Sequence, residues 1–478
     1  MIQKYGIICG LLLWGWGSLF GQSVIVRSQN LSYSRKPIHI TIAWNPFITI
    51  PQYTETVVCS EDGLFEHTFE VEIGRVVQFE FGVYQTYLYV EPGYQYDVKL
   101  PDFQEKKYSD LISPFFQPVV APLKVLSRTS LLTQSKVDGT MDVNHRIARF
   151  DTLFAWENES VIMSRRLGAK IDIDSIIRNI ESEFTGDSSI FFNNYRKHRY
   201  GVLKLNEGKT GLEPICKEHL GLVINESNPG FIELFRAMFK DFLFHYARTP
   251  NGKNLRYHIN RTHHLDSVRH AIRLHPAVWN DTLADMILIQ ELAGLFYSAD
   301  YHKEAILILL DSLVHDPVSP DFSNYAAQVR EKLSSLLIGH PPPRISLPDL
   351  EGNPWTPDVN EGKYIYLMFC SPDFYGCMME YPFLQSYHLK HSEYLDVVTV
   401  MVAKEKVEVS DFMQRNGYGW KALYYEDQPN ILTDYLIKAF PTAFLIGPDG
   451  NLVLSPATLP SDGFEQQLFR IMRSRGEI

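Results

Sequence analysis

The chain has 478 residues, 45% of them hydrophobic and 13% aromatic, with a formal net charge of −11. That length excludes a single core, since domains hold roughly 100–200 residues each, and so apolar a composition excludes a disordered chain. The acidic excess, spread along the sequence, excludes nucleic acid or an anionic membrane surface as the main partner, because both require a basic patch.

The first 22 residues hold one lysine, Lys4, an apolar run from Ile7 to Phe20, and Gly21 before Gln22-Ser23. This is the plan of a signal peptide over residues 1–22, with cleavage expected near Gly21. An uncleaved N-terminus is the alternative, and the only membrane attachment the sequence suggests. Cys9 lies inside the run, too early for a lipoprotein acylation site. Cys59, Cys216, Cys370 and Cys377 remain, too few for a scaffold built on disulfides. Cys59 and Cys216 read as buried free thiols.

From 23 to 105 the pattern has period two, in Lys36–Trp44, His67–Ile73 and Tyr87–Val90, punctuated at Gly63, Gly74 and Pro92-Gly93. Short strands at turn spacing predict an antiparallel β-sandwich-like domain. Between 106 and 338 the period becomes 3.6, predicting helices over Met141–Leu167, Ile171–Phe184, Ser188–Leu205, Gly230–Arg248 and Thr282–Ala299. Asp187 and Ser188 read as an N-cap, and Glu291–Tyr297 with His302–Leu313 as a helical hairpin. This helical stretch holds His258, His263, His264, His270 and His275. On one helix His263 and His270 would share a face with Asp266 between them, a geometry suited to zinc. No fourth ligand is spaced locally and no HExxH motif occurs, so the cluster reads as a solvated face and no metal is assigned. Gly339-His-Pro-Pro-Pro343 then forms a Pro-rich linker, 339–343, that no helix crosses.

Past the prolines, over 344–478, the pattern is βα-like. Tyr364–Phe369 and Val397–Val402 are continuous apolar runs suited to strands buried on both faces. Met379–Lys390 is helical, Ser410-Asp411 caps a helix to Asn416, Ala443–Ile446 turns at Gly447–Gly450 into Asn451–Leu454, and Asp462–Arg473 closes as a helix. The order β, α, β, α, β, β, α describes a thioredoxin fold. The predicted whole is multidomain α+β. No GxSxG, phosphate loop, GxGxxG after a strand or EF-hand loop occurs, and no cofactor is assigned.

Three local motifs go further: Asp349-Leu-Glu-Gly352 with Gly362-Lys363, Cys377-Met-Met-Glu-Tyr-Pro382, and Ala439-Phe-Pro-Thr442 before Ala443–Gly450. With them, residues from about 341 to 478 resemble the thioredoxin-like domain of the TlpA/ResA group, thiol-disulfide oxidoreductases that work outside the cytoplasm. The stretch Gly63–Phe69, Phe79, Phe81 and Tyr89–Gly93 resembles the small β domain that often precedes such modules. The resemblance implies that Pro441 is the cis-proline facing the active-site turn. It also places the second cysteine of a CxxC pair at Cys377, ahead of Glu380 and Pro382, so that the first falls on Phe374 and CxxC becomes FxxC.

Disulfide exchange needs an exposed thiolate, lowered in pKa by a helix N-terminus, and a second thiol to resolve the mixed disulfide. Phe374 cannot supply the first, and Cys377 matches the sheltered resolving thiol. Cys370 lies seven residues earlier at the strand end, and a disulfide needs Cα atoms within about 7 Å. The active-site loop is expected to hold the two apart. The leading reading is an exported protein of the periplasm or cell envelope, degenerate in exchange, that binds protein or extended peptide through Phe374, Tyr375, Phe440 and Pro441. The alternative is an oxidoreductase using Cys370 and Cys377 as catalytic thiols. A third is that the helical middle binds the ligand and the C-terminal domain presents it.

Overall fold

The computed structural model describes residues 22–478 except 48–49, 112, 114–115, 187–188, 222–224, 358–361, 404 and 426–428. The expected signal peptide up to Gly21 and the expected Asp187-Ser188 cap lie outside the described residues. Within them, Ser189 caps the helix Ile190–Glu207, its hydroxyl accepting the Phe192 N–H at 3.3 Å. Among the described residues no helix is long and apolar enough to cross a membrane.

Two five-stranded sheets open the described chain. One runs in the order Lys136–Asp138, Lys124–Ser130, Tyr94–Lys99, Gln22–Gln29, Leu64–Val71. The other runs Ile50–Val58, Pro37–Asn45, Arg75–Phe81, Tyr84–Val90, Val119–Val120. Val24, Ile40, Phe65, Val77, Phe79 and Leu88 from the two sheets share one core. The Phe65 and Phe79 rings meet edge-on at 6.1 Å. The sheets are mixed and not purely antiparallel as expected: Ile25–Arg27 runs parallel to Gln95–Asp97, and Tyr84-Gln85 to Val119-Val120. Long connections through the opposite sheet permit this, since only adjacent hairpins force reversal. Strands also continue to Asp138, inside the stretch 106–338 whose periodicity predicts helices. In Lys124–Ser130 the inward positions are Val125 and the small Ser127, whose hydroxyl donates to Asp97 at 2.7 Å, so a count of apolar residues passes over the strand.

Helices then dominate to residue 334 around a second core. The expected helix Gly230–Arg248 is two, Pro229–Phe239 and Phe242–Tyr246, because Asp241 between them has φ of 56°. His263 and His270 do not share a helix face. His263 sits at φ 53°, its N–H closing a wide turn onto the His258 carbonyl at 3.0 Å, and the next helix begins at Leu265. Asp266 is engaged by Arg269 at 3.2 Å, and the His275 ring packs on Phe242 and Tyr246. Among the described residues no group of three His, Cys, Asp or Glu side chains is placed to hold a metal ion.

The β and helical parts are joined by specific contacts. Phe47 enters the helical core, with ring centroids 5.5–6.2 Å from Tyr325, Phe235 and Phe322. The Asn144 side chain accepts the Tyr89 N–H at 2.8 Å and donates to the Tyr89 carbonyl at 2.9 Å. The Pro-rich segment is likewise tied down: Gly339 N–H donates to the Leu452 carbonyl at 2.7 Å, and Leu452 N–H to that of His340 at 2.8 Å.

The last sheet runs Lys421–Tyr424, Leu395–Met401, Tyr364–Cys370, Thr442–Ile446, Leu452–Ala457, with the first three strands parallel and the last two antiparallel. The short edge strand Lys421–Tyr424 has no counterpart in the expected order. The expected cap Ser410-Asp411 falls inside the helix Lys406–Asn416, which starts at Glu405 with a reciprocal Glu405–Glu408 capping box.

One buried ion pair staples three segments of the helical part. Asp285, fully buried, receives Nε and Nη2 of Arg269 at 2.7 and 2.9 Å and the Val318 N–H at 3.2 Å, while Arg269 also donates to the Asp316 carbonyl at 2.6 Å. Removing one partner strands the other charge in a medium where it cannot be solvated. Asp285→Ala is therefore expected to lower the unfolding free energy by about 3–5 kcal/mol in urea titration, while Asp266→Ala at the exposed rim changes it by less than about 1 kcal/mol.

Candidate functional site

The strand Tyr364–Cys370 is buried at all seven positions, between helices on both faces of the sheet. It delivers Cys370 into the core with no exposed surface. The chain then turns tightly, the Phe374 N–H donating to the Ser371 carbonyl at 3.3 Å, and Phe374 becomes the N-cap of the helix Tyr375–His391 with φ −82° and ψ 121°. Cys377 and Met378 N–H groups reach the Phe374 carbonyl at 2.9 and 3.0 Å. The helix thus starts before the expected Met379, because Tyr375-Gly376 carries no helical periodicity of its own.

The tight turn folds the strand end beneath the first helical turn, and this brings together the two cysteines that the loop was expected to separate. Both are free thiols and both are wholly buried. The Cys377 sulfur accepts the Ser371 N–H at 3.3 Å. The Cys370 thiol lies within side-chain hydrogen-bond reach of Cys377 and Tyr381, and Tyr381 donates its hydroxyl to the Ser371 carbonyl at 2.8 Å. Burial pushes the Cys370 thiol well above the usual thiol range; the Cys377 and Glu380 side chains push the same way, and only Tyr381 opposes them. Neither sulfur is placed to act as an exposed thiolate.

Above the sulfurs the surface is apolar. Tyr375 is 72% exposed and Phe374 38%, and Met378, Met379 and Phe383 continue the patch along the helix. Phe374 meets Phe440 edge-on at 6.5 Å, and the Phe440–Pro441 peptide is cis. A Cβ on Gly376 would lie 3.2 Å from both the Phe374 ring and Pro441 Cδ, so the absence of a side chain there lets ring and proline close over the turn. Of the four proposed binding residues, Phe374 and Tyr375 present side chains, Pro441 is half-buried, and the Phe440 ring is buried. One acceptor beside the proline, the Ala439 carbonyl, takes the Thr442 hydroxyl at 2.6 Å.

Glu380, whose charge also raises the pKa of the Cys370 thiol, is held by the backbone and side chain of one residue. Its carboxylate accepts the Ser461 N–H at 2.8 Å and hydroxyl at 2.6 Å, tying the helix to the turn Pro460–Asp462. Sequence reasoning missed Ser371, Tyr381 and Ser461. Tyr381 was within reach, since its i+4 spacing from Cys377 puts both on one helix face; Ser461 carries no local signal.

The strand order, the helix opening at Phe374 and the cis Pro441 opposite it define a thioredoxin fold. In sequence, the chain is 30% identical over 125 residues to the thiol-disulfide oxidoreductase ResA of Bacillus subtilis (strain 168), covering 25% of this chain and 66% of that one. It is 26% identical over 153 residues to ResA of Geobacillus thermodenitrificans (strain NG80-2), covering 31% of this chain and 84% of that one. Among solved structures, the thioredoxin domain of a Bacteroides vulgatus thiol-disulfide oxidoreductase is matched over 29% of this chain and 99% of its own, at 22% identity and a TM-score of 0.26. StoA of Bacillus subtilis is matched over 26% and 96%, at 22% identity and a TM-score of 0.23. No family model matches. The C-terminal part of the chain belongs to the TlpA/ResA-like thioredoxin-fold family.

Burial and the closed turn predict that iodoacetamide at pH 8 leaves Cys370 and Cys377 unmodified in the native protein and labels both after unfolding in urea. Peptide mass spectrometry reads the labels. Native labelling of Cys377 at the rate of a free thiol would contradict the geometry.

Proposed function

We propose that this is an exported thioredoxin-like protein of the periplasm or cell envelope whose C-terminal domain is degenerate in disulfide exchange and binds protein or extended peptide. The observation that carries this is the Phe374 ring at the turn where the family resemblance implies the attacking thiol, above two sulfurs with no exposed surface. An exchange nucleophile must be both ionised and reachable, and burial opposes both. An exposed run of aromatic and methionine side chains beside Pro441 suits instead an apolar segment of a partner, methionine adapting its shape to varied sequences. Export rests on the residue pattern of 1–22, and the membrane enters only through an uncleaved N-terminus. The three cores are read as a β-sandwich-like, a helical and a thioredoxin-like domain.

A second reading is favoured by one observation, the approach of the Cys370 and Cys377 thiols. In it the two thiols lose two protons and two electrons to a partner's disulfide, forming one S–S bond here and leaving a dithiol there. Non-reducing mass spectrometry of the exported protein decides it: a Cys370–Cys377 bond opened by dithiothreitol supports this reading, and alkylation of both after unfolding without reductant counts against it.

The binding reading is tested with permanently unfolded, carboxymethylated α-lactalbumin, which has no thiol to exchange. Wild type is expected to bind it, and Tyr375→Ser with Met379→Ser to weaken binding by about tenfold, since truncating central aromatic contacts costs upward of about 1 kcal/mol each. Absent binding, or equal binding by the variant, would contradict the assignment.

A further inference from the structure

Far from the thioredoxin turn, a cleft of about 880 Å³ opens where the β-sheets meet the helices. That volume falls within the range of about 300–1,000 Å³ typical of small-molecule sites, and junctions of this kind are where such sites form. Its walls are fixed by contacts already described, the Asn144 bridge to Tyr89 and the Phe47 anchor. Ile42, Val76, Tyr87, Ile147 and Ile232 give it an apolar and aromatic lining.

Asp151, Glu226 and Glu233 line it together with Arg75, Arg236 and Lys240, and these charges are not all paired with one another. Glu233 pairs with Arg199, and Asp151 accepts the Tyr195 hydroxyl at 2.7 Å with Arg199 at 3.7 Å. Glu226 accepts the Tyr325 hydroxyl at 3.0 Å at one oxygen; its other oxygen is buried without a donor among the described residues, and the cationic influence on it is Arg75. Among the described residues Arg236 pairs with no carboxylate, its Nε donates to the Pro46 carbonyl at 2.8 Å, and burial alone acts on it, pulling its pKa down. Lys240 lines the cleft just beyond the same helix, and on the facing strand the Arg75 Nε is buried with no acceptor among the described residues. Segments 48–49 and 222–224, next to the lining in sequence, contain no acidic residue. A half-buried guanidinium without a counter-ion is incompletely solvated, and an anionic oxygen supplied by a ligand would meet it through charge-assisted hydrogen bonds.

We infer that this cleft binds a small amphipathic anion, an organic carboxylate whose apolar body lies on the Ile42–Ile232 lining and whose head group meets Arg236, with Lys240 and Arg75 adding positive charge. The site is independent of the cysteines and of the Phe374 patch, and it gives the helical part a ligand role of its own.

The test uses the full exported chain and the fluorescent anion 8-anilinonaphthalene-1-sulfonate, displaced by decanoate or by the uncharged decanol. Decanoate is expected to displace it at a concentration at least about tenfold below decanol, and Arg236→Gln to remove that preference, as one charge-assisted bond is worth about that factor. Lys240→Gln, at an exposed position, is expected to reduce it and decides the matter if Arg236→Gln does not fold by circular dichroism. Equal displacement by decanol, a preference that survives in every folded variant, or no displacement at all would overturn the inference.

Discussion

Burial of one strand on both faces governs the C-terminal part of this protein, residues 344–478. Tyr364–Cys370 has no solvent-facing position, and everything at its end inherits that constraint. The Cys370 sulfur arrives already desolvated, and the tight Ser371–Phe374 turn draws the first helical turn, with Cys377, down onto it. A helix N-terminus favours a thiolate only where the sulfur can also meet water or a substrate. Here the position that projects outward holds a phenyl ring. The same scaffold that in an exchange enzyme would expose one thiol and shelter another shelters both and exposes an apolar surface.

The rest of the chain obeys a different constraint, the joining of two five-stranded sheets to a helical core. Phe47 and Asn144 fix that junction with one aromatic anchor and one two-way hydrogen bond. Because the contacts lie at the edges, the middle stays open, and Arg236 there has no carboxylate partner among the described residues. The two proposed binding surfaces thus differ, one apolar at the thioredoxin turn and one centred on Arg236 at the junction. Their chemistries differ, which makes a single shared ligand unnecessary.

Much of this was legible in the residues. The buried strands Tyr364–Phe369 and Val397–Val402 announced themselves as continuous apolar runs, and Cys377 ahead of Glu380 and Pro382 located the site helix. Elements held by polar or small residues were less visible: Ser127 disguised a strand, Asp241 a break, and Glu405 a cap, each by a hydrogen bond or backbone angle that apolar periodicity does not encode. The approach of Cys370 to Cys377 was illegible for a related reason, since it depends on how sharply Ser371–Phe374 turns. The unpaired state of Arg236 is a property of three separate segments and has no local signature.

Whether Phe374 alone separates the C-terminal part from exchange chemistry is measured directly by catalysed reduction of insulin by dithiothreitol. Wild type is expected to show no turnover above the uncatalysed rate, and Phe374→Cys, which restores a CxxC pair at the helix N-terminus, to gain it. Turnover by wild type that is abolished by Cys377→Ser would contradict the account.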